Sequence, residues 1–239
     1  MLRKLSLLLP SLLFVQVTFS QKSGLQNLLD SFRTTGNFPG LSFAIVNKDN
    51  TQAVYTSGYS DKEKKSLLKP SDRMLQGSVG KTYAAAIALQ LIKEGKINLD
   101  EKVSAYLGQY DWYDKIPNAA DITVRMIMNH ISGVMRYEFK EKFTHDLTGN
   151  PAKVWKPEEL LSYVLGEQGT FKAGEGWEYS DTNYIMLGMI IEKITGIKYN
   201  DLLQKTILQP LKLTNTLPSD KRKLEGLAQG YAGAEGRIK

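Results

Sequence analysis

No cysteine occurs among the 239 residues, which excludes disulfides, thiolate-bound zinc, iron–sulfur clusters and a cysteine nucleophile. Histidine is almost as scarce. His130 and His145 are the only two, too few for a multi-histidine metal site, so neither a metal nor any other cofactor is expected. There is no repeat, low-complexity tract or interdomain linker, and no Gly-x-Ser-x-Gly elbow of the kind that presents a serine on a strand-to-helix turn. The chain is 42% hydrophobic and 23% charged, an ordinary globular composition that rules out a disordered, collagenous or coiled-coil protein.

Met1-Leu2-Arg3-Lys4 is a short positive lead into the apolar run Leu5–Phe19, and Thr18-Phe19-Ser20 places small residues ahead of a cut at Gln21. This reads as an export signal over residues 1–20. An uncleaved membrane anchor is the weaker reading, because the run is short and Pro10 interrupts it. The expected product is exported, periplasmic or extracellular, with no stable membrane span once the signal is removed and one functional domain over residues 21–239. Its formal charge falls from +6 to +4 when Arg3 and Lys4 are lost. The clusters Lys62-Glu63-Lys64-Lys65 and Lys221-Arg222-Lys223 read as solvated faces, so nucleic acid is not an expected partner. Outside the cytoplasm, functions that consume ATP or NAD lose weight.

Hydrophobic patterning predicts two strands followed by helices. Leu25–Phe32 is amphipathic and stopped by Gly36 and Pro39-Gly40. Leu41–Val46 and Gln52–Gly58 are β-rich and joined across Asn47-Lys48-Asp49-Asn50-Thr51, a hairpin. Thr82–Glu94 is apolar on nearly every face, which suits an interior helix. Further helices are expected over Ile122–His130, Pro157–Leu165, Asn183–Thr195 and Asp201–Leu208, with Gly95 and Gly196 as C-terminal stops. Two strands do not make a stable sheet by themselves, so partners for them are expected from outside the chain as given.

Chemistry concentrates at Gly77-Ser78-Val79-Gly80-Lys81-Thr82. Placed in a first helical turn, Ser78 meets free backbone N–H groups and the positive end of the macrodipole. Lys81, three residues on, lies on the same face within reach of the hydroxyl. Burial disfavours the ammonium form, and a neutral amine can accept the hydroxyl proton. The spacing alone is weak, since Ser66-Leu67-Leu68-Lys69 shares it; there Pro70 follows and no helix does. The same residues nearly spell a phosphate loop, but Leu75 stands where its first glycine belongs and no buried strand precedes it. His130 has no evident acid partner, which argues against a Ser-His-Asp triad. A second constellation is Gly174-Glu175-Gly176-Trp177-Glu178-Tyr179-Ser180-Asp181, a turn that delivers Tyr179 ahead of an apolar helix. A tyrosine beside a cationic lysine can pass a proton to a leaving group. The plainer alternative is a buried aromatic followed by Asp181 as helix N-cap.

Ser-x-x-Lys opening an Ala-rich helix, Ile122-Thr123-Val124-Arg125 running into Asn129-His130-Ile131-Ser132-Gly133, Glu178–Tyr184, Leu187-Gly188, Pro210–Leu213 and Gly230-Tyr231 follow in order along residues 25–235. Together they resemble the serine β-lactamase-related family, the group of class C β-lactamases, D-alanyl-D-alanine carboxypeptidases and esterases. The resemblance implies an α+β fold, β-lactamase/transpeptidase-like, with an antiparallel sheet flanked by helices. It implies Ser78 as acylated nucleophile with its own N–H in the oxyanion hole, Lys81 as proton acceptor and Tyr179 as proton shuttle, with Asp181 in contact with substrate. Two features depart from the family pattern. Asp181 occupies the third position of Tyr-x-Asn, where a carboxylate only accepts hydrogen bonds and would raise the pKa of a neighbouring Lys81. The Lys-Thr-Gly or His-x-Gly strand motif is absent after residue 196; Lys22-Ser23-Gly24 spells a version of it beside the expected cleavage site. The chain is therefore expected to lack the family's C-terminal strands.

The expected function is that of an exported serine hydrolase working through an acyl-enzyme on an amide or ester. Small molecules or peptidoglycan peptides are the expected partners: a β-lactam, a D-Ala-D-Ala-type peptide or a small ester. The alternative is a non-catalytic penicillin-binding-like protein or inactive fragment of the same family.

Overall fold

The computed structural model describes residues 24–219 and 224–231. The expected export signal and Lys221-Arg222-Lys223 lie outside these. The chain divides into two compact units, one running to Leu75 and resuming at Lys223, the other spanning Gln76–Arg222. None of the described helices is long and apolar enough to cross a membrane.

The first unit carries helix α1 (residues 24–35) and a small antiparallel sheet in the order β1 (Gly40–Val46), β2 (Gln52–Asp61), β3 (Ser66–Leu67). The hairpin expected across residues 47–51 is present, with β1 and β2 in register from Gly40↔Gly58 to Val46↔Gln52. Asn50 closes it in the left-handed region at φ 63°, and Asp49 accepts from the Thr51 N–H at 3.0 Å. The sequence reading ended β2 at Gly58 and missed β3. The strand runs on because the polar stretch after it makes a tight turn, with Lys65 at φ 54° and its N–H on the Lys62 carbonyl at 3.2 Å. α1 docks on β2 through polar groups: Arg33 donates to Ser57 at 2.9 Å, and Ser57 donates to Asp30 at 2.5 Å.

The second unit is helical and contains one large core. Helix α2 (Lys81–Lys93) buries Ala84, Ile87, Ala88 and Leu91, the one-stripe spacing of an amphipathic helix. Leu89 on its other side is 54% exposed, so the all-round burial expected of this segment is not what forms. Helix α7 (Asp181–Thr195) is the hub: α2, α3 (Ser104–Leu107), α4 (Val124–Met128), α6 (Pro157–Leu161) and α8 (Tyr199–Leu203) all pack on it. Its Met186, Leu187, Ile190 and Ile191 are completely buried. Each such side chain contributes about 1.5–3 kcal/mol relative to exposure, and their burial holds the start of α7 where the chemistry lies. Gly196, left-handed at φ 67°, ends α7 as its composition predicts.

Helix ends differ from the sequence reading for local reasons. α4 starts at Val124 because Thr123 caps it, accepting from the Met126 N–H at 3.3 Å. α6 stops at Leu161, short of Leu165, and the last expected helix splits into α8 and a wider π-type turn over Gln204–Leu208. Helix α5 (Glu141–Gly149) has no buried residue and only Phe143 and Leu147 as large apolar side chains, and the sequence reading does not include it.

Candidate active site

Ser78 lies not in the first turn of α2, as the sequence suggested, but in the 3-10 turn just before it, Gly77–Gly80. Gly77 sits in the left-handed region at φ 52° and turns the chain into that element. Lys81 is the first residue of α2, and its Nζ lies 3.3 Å from Ser78 Oγ. Tyr179 arrives from the loop before α7 and donates its phenolic proton to the same Oγ at 2.6 Å. Asp181, the first residue of α7, accepts from Lys81 Nζ, and the Tyr179 hydroxyl oxygen lies 3.2 Å from the same carboxylate. Ser78, Lys81, Tyr179 and Asp181 are thus assembled in one cluster across about a hundred residues of sequence. Asp181 makes no cap hydrogen bond; Ser180 occupies the N-cap position, so the plainer reading of Asp181 fails.

The loop that presents Tyr179 is fixed from behind. Gly174, at φ 83°, gives its N–H to the Ile131 carbonyl at 2.8 Å, and Glu178 gives its N–H to the His130 carbonyl at 3.0 Å. His130 Nδ1 accepts from the buried Ser180 N–H at 3.1 Å, while its ring lies 4.5 Å from that of Tyr179, tilted by 35°. Burial, then the Lys81 charge, lowers the His130 pKa and keeps Nδ1 an acceptor. Ser132 donates to Asn183 Oδ1 at 2.7 Å, and Thr182 donates to the Met135 carbonyl at 2.7 Å. Each bond ties the Asn129–Gly133 motif and its sequel to the first turn of α7.

A family model described as Beta-lactamase matches residues 25–238 of the chain. The chain belongs to the Beta-lactamase family. Among curated relatives it is 26% identical over 204 residues to Protein flp of Staphylococcus aureus, covering 84% of this chain and 39% of that one. It is 25% identical over 221 residues to Penicillin-binding protein 4* of Bacillus subtilis, covering 89% and 46%. Among solved structures, D-amino acid amidase from Ochrobactrum anthropi SV3 superposes with a TM-score of 0.73 at 27% identity, covering 89% of this chain and 58% of that one. A D-stereospecific amidohydrolase from Streptomyces sp. gives 0.68 at 29%, covering 79% and 54%. The chain thus spans less than half the length of these two curated relatives. The fold is the β-lactamase/transpeptidase-like one, with helices and a small antiparallel sheet.

In this member of the Beta-lactamase family the charge around the serine differs from what burial of Lys81 alone suggests. Burial pulls the ammonium down and is the largest single influence, yet hydrogen bonds and charge from Asp181 and Tyr179 outweigh it. Lys81 therefore lies above the ordinary lysine value, and Asp181 below the ordinary carboxylate value. This corrects the expectation of a lysine made neutral by burial. It follows the second expectation, that a carboxylate at position 181 raises it.

Two further groups at the site went unread in the sequence. Arg136 holds Glu138 through Nε at 2.6 Å, approaches Asp181 Oδ2 at 3.8 Å, and lies 4.1 Å over the Phe139 ring. Nothing in Met135-Arg136-Tyr137-Glu138 marks these charges as site residues, because their spacing matches no motif and only the fold brings them to Asp181. A hollow of about 510 Å³, lined in part by Tyr110, Pro157 and Met189, contains none of the cluster; Ser78 itself is exposed.

Proposed function

We propose that this chain is a serine hydrolase that forms an acyl-enzyme on Ser78 and acts on an amide or ester. The observation that carries the reading is the convergence of Lys81 Nζ, at 3.3 Å, and the Tyr179 hydroxyl, at 2.6 Å, on one exposed serine oxygen. Ser78 Oγ attacks the carbonyl carbon, and its proton passes to Lys81 in the neutral amine form. The Tyr179 hydroxyl delivers its proton to the leaving nitrogen or oxygen and regains one from Lys81. The Ser78 N–H donates to the oxyanion. Water then attacks the acyl carbon, its proton returns by the same route, and Ser78 leaves protonated. D-amino-acid amides, D-Ala-D-Ala-type peptides, β-lactams and small esters fit this chemistry, and likeness to a D-amino acid amidase and a penicillin-binding protein supports that range. Nucleic acid is no part of the reading. Residues 1–20 act as an export signal, so the substrate is met outside the cytoplasm; a mature N-terminus at Gln21 is the expected finding.

A second reading, a non-catalytic penicillin-binding-like protein, is favoured by the hold of Asp181 on Lys81, which opposes proton acceptance. Intact-protein mass spectrometry after treatment with a fluorophosphonate and, separately, a penicillin tests both. A single adduct on Ser78, abolished by Ser78→Ala and by Lys81→Ala, is the expected result. A penicillin adduct that never hydrolyses supports the binding protein. No adduct on the folded chain overturns the hydrolase reading.

A further inference from the structure

Glu138 is the unexplained charge beside this site. Its Oε1 accepts from Arg136 at 2.6 Å, but Oε2 is sealed from solvent and has no hydrogen-bond partner that a carboxylate could use. A buried carboxylate oxygen left without a donor is costly. Arg136 brings this carboxyl group beside that of Asp181, another acceptor: its Nε holds Glu138 Oε1 at 2.6 Å while its Nη2 lies 3.8 Å from Asp181 Oδ2. Each carboxyl group shifts the other's pKa, Glu138 upward and Asp181 downward. Two carboxylates meeting in this way satisfy one another only when a single proton lies between them.

We propose that Glu138 holds this proton and donates it to Asp181, so that Glu138 is a positioning residue setting the charge that Lys81 and the Ser78 nucleophile experience. The role for Ser78 rests on the hydrolase reading; the shared proton does not. The proton belongs on Glu138 rather than Asp181 because their surroundings differ. Asp181 already faces Lys81 and Tyr179, with Arg136 at 3.8 Å from its other oxygen. Glu138 is faced by Asp181 from α7 and by Arg136 from its own segment. Helix α5 packs on the same turn through Phe143 on Tyr137. Of its titratable residues Glu141, Lys142, His145 and Asp146, Lys142 pairs with Asp146 at 3.2 Å, His145 lies 3.4 Å from Asp146, and Asp146 takes the Tyr163 hydroxyl at 2.7 Å. Lys140, ahead of the helix, pairs with Glu167 at 3.0 Å. Burial, reinforced by Asp181, accordingly raises the Glu138 pKa, whereas that of Asp181 is lowered.

The consequence is a cluster in which Lys81 and Arg136 face one negative charge, not two. A carboxyl O–H directed at Asp181 draws charge away from the Lys81 contact and eases release of a lysine proton. Once pH rises far enough to ionise Glu138, a second negative charge appears and Lys81 is held more tightly.

Two measurements on the full chain test this. The first is a ¹³C NMR titration of protein labelled at the glutamate carboxyl carbon, Glu138 being assigned by the signal missing in Glu138→Gln or, should that variant not fold, in Glu138→Asp. Glu138 is expected to titrate above every other glutamate, and to move down toward them in Asp181→Asn. A midpoint at or below the ordinary glutamate range overturns the proposal. The second is the pH profile of fluorophosphonate labelling at Ser78. Below the Glu138 titration the unmodified protein should label about tenfold faster than Glu138→Ala, the size of one hydrogen bond to a charged group, and above it the order should invert. Glu138→Gln, whose amide donates at every pH, should restore the faster rate. Parallel profiles with no inversion overturn the proposal. If Ser78 never labels while Glu138 still titrates high, the shared proton stands and the hydrolase reading falls.

Discussion

Replacing Asp181 with asparagine should make the serine more reactive at neutral pH, against the usual outcome of removing a charged site residue. The sign follows from the pair. Asp181 accepts from Lys81, stabilises the ammonium form and places its pKa above the ordinary 10.5, although burial alone would lower it. An opposite charge in contact is worth about 1–3 pKa units, and a unit pair at about 4 Å interacts by roughly 4 kcal/mol at an effective dielectric of 20. The side chains of Lys81 and Asp181 are 19% and 28% exposed, so water screens the pair and the lower part of that range applies. With the charge removed, burial becomes the dominant influence and the acid limb of Ser78 acylation should move down by about 1–2 pH units. Since each unit is tenfold in neutral amine, labelling at fixed pH below the limb should rise about 10- to 100-fold. The assay is the second-order rate of fluorophosphonate labelling from pH 5 to 10, compared between the two proteins. A limb that stays in place, or moves up, refutes Lys81 as the proton acceptor governed by Asp181. A rate that falls at every pH refutes it differently, by making the Asp181 carboxylate itself the group that takes the proton. The same pair predicts a stability window. The Asp181 contribution is present above the ordinary carboxylate value of 3.8 and is lost as pH falls through its lowered folded value. The Lys81 contribution is lost only as pH rises through a folded value above 10.5, so the two proteins should differ in Tm between these limits and converge outside them.

Three other substitutions probe the frame that holds this pair. His130→Phe keeps an aromatic ring against Tyr179 but leaves the buried Ser180 N–H without its 3.1 Å acceptor; it should cost about 1–3 kcal/mol in denaturant unfolding and slow Ser78 labelling. Gly133→Ala forces a side chain into the left-handed region at φ 70° and brings its Cβ to 2.1 Å from the Phe171 carbonyl oxygen. About 1–2 kcal/mol of backbone strain is the minimum expected, read as a Tm loss of at least about 2–4 °C, and an unchanged Tm would contradict the placement of this turn. Ile190→Ala, at a completely buried position in α7, should destabilise by about 2–5 kcal/mol without moving the pH limb of labelling.

How far each part of the site could be read in the sequence depends on how local its determinants are. The Ser78–Lys81 pair spans three residues, so its proximity follows from helical geometry, and even the shift of Ser78 into a 3-10 turn leaves the contact intact at 3.3 Å. Tyr179 approaches Ser78 from 101 residues away; no periodicity predicts that, and only the ordered motifs of a family did. The same motifs placed Asp181 and flagged its charge, but burial, the one influence on Lys81 visible in a local pattern, gave the wrong sign for its pKa. Glu138 shows the limit. It sits on a short turn without an apolar period, and it becomes chemically significant because Thr182 and Ser180 fasten α7 to the Met135 carbonyl and Tyr137. Those tertiary bonds bring the Arg136–Glu138 segment alongside Asp181. The departure at position 181 therefore has to be judged together with Glu138, because a lone carboxylate beside Lys81 would only trap its proton, whereas a carboxylate hydrogen-bonded by a protonated neighbour can release it.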